Sequence, residues 1–168
     1  IKLCQSLRIQ HGFKSICLMP TNLYGPGDNY HSLNSHVLPS LIRRFHSAKL
    51  NNFKTVTCWG SGNVLREFLF VDDLAEACLF LLNNWDPSLP NSPKDVTGEP
   101  LYWLNVGSDY EISIKNLAKK ISNIVGFDGE IYWDKSKPDG TPRKKLDTKR
   151  LDNFGWKAKT NLDEGIRL

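Results

Sequence analysis

Hydrophobic positions along the chain follow two alternating periods, one typical of helices and the other of short buried strands. Four apolar residues near the start share one side of a helix: Ile1, Leu3, Cys4 and Leu7. Gly12 is placed to end that helix. The apolar run 14–19, which stops at Pro20, predicts a strand buried on both faces of a parallel sheet. The polar, glycine-rich stretch 21–34 that follows is predicted to be a loop.

A second helical period begins at residue 37. Its apolar positions are Val37, Leu38, Leu41, Ile42, Phe45 and Ala48. Two predicted strands, 55–59 and 67–71, flank the turn Gly60-Ser61-Gly62. The aspartate pair 72–73 is placed to cap the next helix. That helix is apolar nearly all round from residue 74 to 82, which predicts that it is buried.

The second half of the chain continues the alternation. Residues 84–100 hold four of the nine prolines and no period, which predicts a surface loop. Residues 101–106 are predicted to form a strand, and 113–126 a helix with a serine cap and a glycine stop. A short strand at 130–133 and a helix that begins near residue 160 complete the pattern. Strands that alternate with helices in this way indicate an α/β fold.

The composition is that of a globular protein. Of 168 residues, 40% are hydrophobic and 11% aromatic, and the formal net charge is +4. The length suits about one domain, and the aromatic content argues against disorder. No apolar run approaches the roughly 20 residues that a bilayer requires, so we expect no membrane contact and a cytoplasmic location. The four cysteines are widely spaced, and no metal site is predicted.

The positive charge is concentrated in one segment. Residues 134–150 hold seven Lys and Arg against three Asp, so this segment carries the whole net charge of +4. A patch this short favours a small anionic ligand over a nucleic acid, which usually meets basic residues spread along an element. A solvated basic loop is the alternative interpretation.

Two sequence patterns are absent. The Gly60-Ser61-Gly62 turn has no third glycine and no helix after it, so the phosphate-binding G-x-G-x-x-G turn is not found in this sequence. No tyrosine has a lysine four residues further on, so the sequence also has no Tyr-x-x-x-Lys pair.

Three motifs nevertheless occur together. They are Pro20-Thr-Asn-Leu-Tyr-Gly-Pro26 with Asp28-Asn29, Trp59-Gly-Ser-Gly62 with Arg66-Glu-Phe-Leu-Phe-Val-Asp-Asp73, and Leu104-Asn-Val-Gly107. In this order and spacing they resemble the extended short-chain dehydrogenases that act on nucleotide sugars. Two further segments are similar to the GDP-L-fucose synthases within that superfamily. They are Asn34-Ser-His36 with Pro39 and Arg43-Arg44, and Ser136-Lys-Pro-Asp-Gly-Thr-Pro-Arg-Lys144 with Gly155-Trp156. The resemblance covers essentially the whole chain.

This resemblance implies a fold and an activity. The fold would be the C-terminal part of a Rossmann-type parallel sheet, formed by residues 1–23 with a return near 67–83. A small α/β substrate-binding domain would comprise residues 24–66 and 84–168. The activity would be epimerisation at C3 and C5 and NADPH-dependent reduction at C4 of GDP-4-keto-6-deoxy-D-mannose, with NADP(H) as cofactor. The glycine-rich turn and the Tyr-Lys pair would lie upstream, so the 168-residue chain alone is expected to be inactive. Family members form homodimers through helices that would include residues 1–10.

The resemblance also implies residue roles on the cofactor side. His36 would be catalytic and would lie against the cofactor, because proton transfer at C3 and C5 needs an acid or base that titrates near neutral pH. The backbone of Pro20, Thr21, Asn22 and Leu23 would lie near the nicotinamide, since ligands bind at the carboxyl ends of parallel strands. Taken without the resemblance, a histidine in a polar loop is more often a surface or helix-capping residue.

On the substrate side, the resemblance implies that Arg44 and Arg66 bind the diphosphate, because a guanidinium presents forked donors to phosphate oxygens. Trp59 would pack on the sugar nucleotide. Asp139 would accept from guanine or ribose, and Lys144 would contact phosphate. The alternatives are a solvated helix face for Arg44, core packing for Trp59 and a solvated loop for the other two.

Two other functions stay open on the sequence alone. One is a different nucleotide-sugar epimerase or dehydratase of the same superfamily. A plain 4-epimerase needs no proton donor at C3 and C5, so His36 and the loop 137–144 favour the epimerase-reductase. The other is a non-catalytic module that binds a nucleotide sugar.

Overall fold

The computed structural model describes all 168 residues, in six helices and eight strands. The helices are α1 (Lys2–His11), α2 (Val37–Leu50), α3 (Val71–Asn84), α4 (Ile114–Val125), α5 (Lys149–Asp152) and α6 (Leu162–Arg167). The strands are β1 (Cys17–Pro20), β2 (Asn22–Tyr24), β3 (Thr55–Trp59), β4 (Leu65–Phe70), β5 (Trp103–Val106), β6 (Glu111–Ser113), β7 (Glu130–Asp134) and β8 (Arg143–Lys144). This order confirms the predicted α/β class. None of the helices combines the length and the apolar character needed to cross a bilayer.

Most strand pairs are parallel and join segments that are distant in the sequence. β1 runs parallel to β5, β2 to β4, and β3 to β7. β4 also pairs with β6, in the antiparallel sense, and with β8, in the parallel sense. Because Pro20 lies opposite Val106, β1 and β5 end at the same edge of their sheet. This edge is where a parallel α/β sheet usually binds its ligand.

The buried apolar residues form two clusters, and β4 contributes to both. Phe68 and Phe70 belong to the larger cluster, which is built around α2 and α4. Leu69 lies between them in sequence and packs in the smaller cluster with α3, β5 and residues near 151–156. This division follows from the alternation of side chains along a strand. The domain boundaries stay a prediction, and β5, from the predicted 84–168 part, pairs with β1.

The helix ends that the sequence predicts are confirmed. Gly12 ends α1 in the left-handed conformation, with φ of 63°, and Gly126 ends α4 with φ of 73°. The Ser113 hydroxyl accepts a hydrogen bond from the Asn116 amide at 3.1 Å, which caps α4.

The structure corrects the prediction of an uninterrupted loop over residues 21–34. Asn22–Tyr24 forms β2, a short strand whose pairing with β4 supplies order that three residues do not show by periodicity. A second short strand, Glu111–Ser113, is likewise absent from the sequence prediction.

The structure also corrects two predictions for α3. The helix begins after Phe70, and no side chain caps it. The buried Asp73 carboxylate instead accepts hydrogen bonds from the Lys159 and Thr160 amides. The helix is not buried all round, because Leu79 and Leu82 are 64% and 68% exposed. Its smaller cluster covers only one side of the helix.

Candidate functional site

A cleft opens where β1 ends, and β8 and the residues after it form its opposite wall. Its volume is about 390 Å³. The residues that line it are Pro20, Thr21, Asn22, Lys144, Lys145 and Leu146. This strand-end cleft therefore brings together three of the four predicted cofactor-side residues and one predicted substrate-side residue. Leu23, the fourth, is partly buried against the smaller apolar cluster.

The wall that follows β1 is fixed by hydrogen bonds to its neighbours. The Thr21 amide donates to the Val106 carbonyl at 3.0 Å. The Thr21 hydroxyl and the Asn22 side-chain amide both donate to the Glu67 carbonyl, at 3.2 and 2.7 Å. These bonds leave the outer backbone of the segment, rather than its hydroxyl and amide donors, free to meet a ligand.

The opposite wall carries the positive charge of the cleft. Lys145 is neutralised locally, because its ammonium lies 2.6 Å from the Asp109 carboxylate. That contact lowers the pKa of Asp109 and raises the pKa of Lys145. Lys144 makes no ion pair, so it is the cation of this wall that is available to an anionic ligand.

Arg66 and Lys144 are direct neighbours across two parallel strands. They are register partners in β4 and β8, so their side chains leave the sheet on the same face. The Arg66 guanidinium is partly buried and donates to the Leu65 carbonyl at 2.6 Å. A Cβ on Gly140 would lie 3.1 Å from Arg66 Nη2, so the basic loop passes closely over the guanidinium.

Asp139 anchors the basic loop to the turn after β3. Its two carboxylate oxygens accept from the Ser61 amide at 2.8 Å and from the Ser61 hydroxyl at 2.7 Å. These bonds hold the pKa of Asp139 below its ordinary value. Gly60 permits the contact, because its φ is +77° and a Cβ there would overlap the Asp139 carboxylate. A role of Asp139 toward guanine or ribose stays a prediction.

Arg44 and Trp59 line a second cavity, of about 450 Å³. Its other residues include Ser32, Ser35, Arg43 and Ile114. Trp59 is 68% exposed, so it is not a core residue, and the Lys137 ammonium lies 5.8 Å from the centre of its ring. Burial raises the pKa of the Cys58 thiol, and the nearby Arg44 guanidinium opposes that shift.

His36 lies at the N-terminal end of α2 and lines neither cavity. Its backbone is extended and its side chain makes no capping hydrogen bond to α2. The ring is exposed, while the flanking Ser35 and Val37 line the second cavity. The structure thus places the imidazole at the rim of the site that holds Arg44 and Trp59, without a partner within this chain.

Sequence reasoning gave no role to Glu67, which is fully buried. Its carboxylate accepts from the Ser108 and Asp109 amides, at 2.8 and 2.9 Å, and from the Leu146 amide at 2.9 Å. The signal was visible, since Glu67 is the acidic residue inside the strand Leu65–Phe70, which is otherwise apolar apart from Arg66. A further cavity of about 410 Å³, beside Tyr24 and Phe68, contains none of the predicted site residues.

A parallel α/β unit whose strands end at a cleft with an available lysine and arginine defines a nucleotide-binding protein of the Rossmann type. Residues 1–93 match the model of the NAD dependent epimerase/dehydratase family, and the chain belongs to that family.

The most similar relatives share the whole of this chain. It is 52% identical over 166 residues to the probable GDP-L-fucose synthase 1 of Oryza sativa subsp. japonica, and 50% identical to GDP-L-fucose synthase 1 of Arabidopsis thaliana. Each match covers 99% of this chain and 47% of the relative. The solved structure of MlghC, a GDP-mannoheptose C4 reductase from Campylobacter jejuni with NADP bound, superimposes with a TM-score of 0.80 at 31% identity. That match covers 99% of this chain and 55% of the reductase. The chain thus spans about half the length of the proteins it matches.

Proposed function

We propose that this chain is the substrate-binding part of an enzyme that converts GDP-4-keto-6-deoxy-D-mannose to GDP-L-fucose. The reaction comprises epimerisation at C3 and C5 and reduction at C4. The observation that carries the proposal is the strand-end cleft with Lys144 and its neighbour Arg66, in a chain half identical to proteins named GDP-L-fucose synthase. The enzyme is cytoplasmic and acts as a homodimer in this proposal.

The diphosphate of the substrate lies against Arg66 and Lys144 in this proposal. The two cations stand side by side on one face of the sheet, and neither is neutralised by a carboxylate of the chain. Arg44 adds a third positive charge at the second cavity, where the exposed face of Trp59 is available to stack on the nucleotide.

NADP(H) is the proposed cofactor, with Pro20, Thr21, Asn22 and Leu23 beside it. The donor set of this segment fits a nicotinamide amide, because the backbone after β1 faces the cleft while its side-chain donors are bound to Glu67. When bound, the reduced nicotinamide supplies the hydride for C4. The chain's own part is to hold the sugar nucleotide on the lysine side of the cleft, opposite that segment.

His36 is the proposed acid or base for the C3 and C5 protons, and it also lies against the cofactor. Its ring is exposed at the rim of the second cavity and is not engaged by any side chain as a cap. An imidazole that is free on one side is able to give or take a proton from a sugar carbon that approaches it.

The test is to replace His36 with Gln in the full-length gene product. Exchange of the C3 and C5 hydrogens of the substrate with deuterated solvent is followed by mass spectrometry. We expect GDP binding to persist and exchange to fall about 10²-fold or more, the usual scale for a positioned acid or base. His46→Gln, which changes an exposed histidine of the same helix, is the control. Exchange that stays at the parental rate in the His36 variant contradicts the role of His36.

A C4 reductase that does not epimerise its substrate is the second candidate. It is favoured by the structural similarity to MlghC, a GDP-mannoheptose C4 reductase. NADPH oxidation by the full-length gene product without deuterium incorporation at C3 and C5 would select this candidate. The purified 168-residue chain, whose sequence has neither the glycine-rich turn nor the Tyr-Lys pair, is expected to oxidise no NADPH in the same assay. Turnover of about 1 s⁻¹ or more by that chain would contradict the residue assignment.

A further inference from the structure

Glu67 is bonded to both walls of the strand-end cleft. Its backbone carbonyl accepts from the side chains of Thr21 and Asn22, on the wall that follows β1. One oxygen of its carboxylate, Oε2, accepts from the Leu146 amide on the opposite wall, at 2.9 Å. No other residue of the chain is hydrogen-bonded through its backbone to one wall and through its side chain to the other.

The remaining carboxylate oxygen fixes Glu67 in place. Oε1 accepts from the consecutive amides of Ser108 and Asp109, in the turn that follows β5. Three N–H donors thus converge on a fully buried carboxylate, an arrangement suited to an acceptor-only, ionised side chain. Gly107 is required beside it, because a Cβ at that position would overlap Oε1.

The bond to Leu146 bears directly on Lys144. Lys144 ends β8, a strand of only two residues, and Leu146 is the next residue but one. Two residues of pairing hold a strand weakly, so the Leu146 amide bond is the buried attachment that keeps this wall against β4. The other side-chain attachments of the wall, Arg143 to Glu111 and Lys145 to Asp109, lie at the exposed surface.

We propose that Glu67 is a positioning residue that sets the separation between the cofactor-side wall and Lys144 by bonding both. It touches no ligand itself. The inference rests on the proposed function, because it takes Lys144 as a contact to the substrate's phosphate.

The test replaces Glu67 with Gln in the full-length gene product. The amide oxygen of Gln is able to keep the Ser108 and Asp109 bonds, but its NH₂ group then faces the Leu146 N–H, and that bond is lost. We expect faster hydrogen exchange at Lys144–Leu146 with protection retained at residues 107–109. We also expect the dissociation constant of GDP to rise about tenfold, the size of one lost charge-assisted contact. Lys144→Ala should weaken GDP binding in the parent but add little in the Glu67→Gln background.

Glu111→Gln is the matched control, because Glu111 is the register partner of Glu67 in β6 and its carboxylate binds Arg143 of the same wall from the solvent side. It should leave both exchange and GDP affinity near the parental values. Gly107→Ala is the second variant, needed if Glu67→Gln fails to fold. Its methyl group displaces the Glu67 carboxylate without a change of charge, so it should reproduce the loosened wall and the weaker binding.

Parental protection at Leu146 in both Glu67→Gln and Gly107→Ala would overturn the positioning role, whether or not GDP binds. So would fully additive effects of Glu67→Gln and Lys144→Ala. If the parent itself binds no GDP while exchange responds as expected, the proposed function fails, and Glu67 is still supported as the residue that joins the two walls.

Discussion

Replacing Arg66 with Ala tests whether the basic side of the strand-end cleft recognises a diphosphate. The guanidinium is partly buried, bonds the Leu65 carbonyl at 2.6 Å and is closely covered by Gly140, so it is held in place before a ligand arrives. A preorganised donor loses little side-chain entropy on binding. Its loss should therefore cost the full value of a charged hydrogen bond, about 1.5–3 kcal/mol. This corresponds to a rise of about 10- to 150-fold in the dissociation constant of GDP.

The assay is titration calorimetry of the full-length gene product with GDP at low and at moderate salt. Arg143→Ala is the matched control, because it removes the same charge from the neighbouring strand, where the guanidinium is exposed and paired with Glu111. An exposed ion pair contributes about 0–1 kcal/mol, so this variant should bind GDP nearly as the parent does. The penalty in Arg66→Ala should shrink as salt rises, since screening weakens the charge contact.

Equal weakening by the two arginine variants would refute the reasoning. It would mean that GDP responds to the net charge of the basic segment rather than to a guanidinium in a fixed place. A parental affinity in Arg66→Ala would remove Arg66 from the site altogether.

Two further predictions concern the fold. Burial, reinforced by Asp73, Glu164 and Asp163, raises the pKa of Tyr24 to about 12. Because the folded-state pKa is above the unfolded value, this contribution is complete below about pH 10 and is lost as the pH rises from about 10 toward 12. Denaturant unfolding across that range should therefore show a steeper loss of stability in the parent than in Tyr24→Phe, and parallel curves would contradict it. Asp73→Ala should lower the free energy of unfolding by about 2–4 kcal/mol, because it leaves the Lys159 and Thr160 amides without their acceptor. The exposed neighbour Asp72, changed to Ala, should cost no more than about 0.5 kcal/mol, and an equal loss in both variants would count against the argument.

The long helices and most of the strands could be predicted from the sequence, because their signals are local. In α4, the serine cap, the apolar face and the glycine stop all lie within one segment, and each is found in the structure. By contrast, β2 and β6 are three residues long and exist only through their pairing with β4. No periodicity is able to reveal a strand of that length. The exposed side of α3 was missed because an apolar helix and a buried helix look the same in sequence.

The candidate site was predictable as a set of residue types rather than as an arrangement. The motifs placed Pro20, Thr21 and Asn22 with Lys144 in one functional site, and the structure puts them around one cleft. The part of Glu67 depended on amides from residues 108, 109 and 146, whose positions follow from tertiary folding alone. The Ser61 partner of Asp139 was hidden for the same reason, since the two residues are remote in the sequence.

The pairing of β1 with β5 also has a consequence for how the chain is made. Cys17 waits for Trp103, and Thr55 for Glu130, before either can join its sheet. Such a topology has high contact order, which slows folding, because long loops must close before their contacts form. During synthesis from the N-terminus, the apolar strand β1 therefore leaves the ribosome long before its partner exists. A nascent chain of this kind depends on being shielded until about two thirds of its residues have been added.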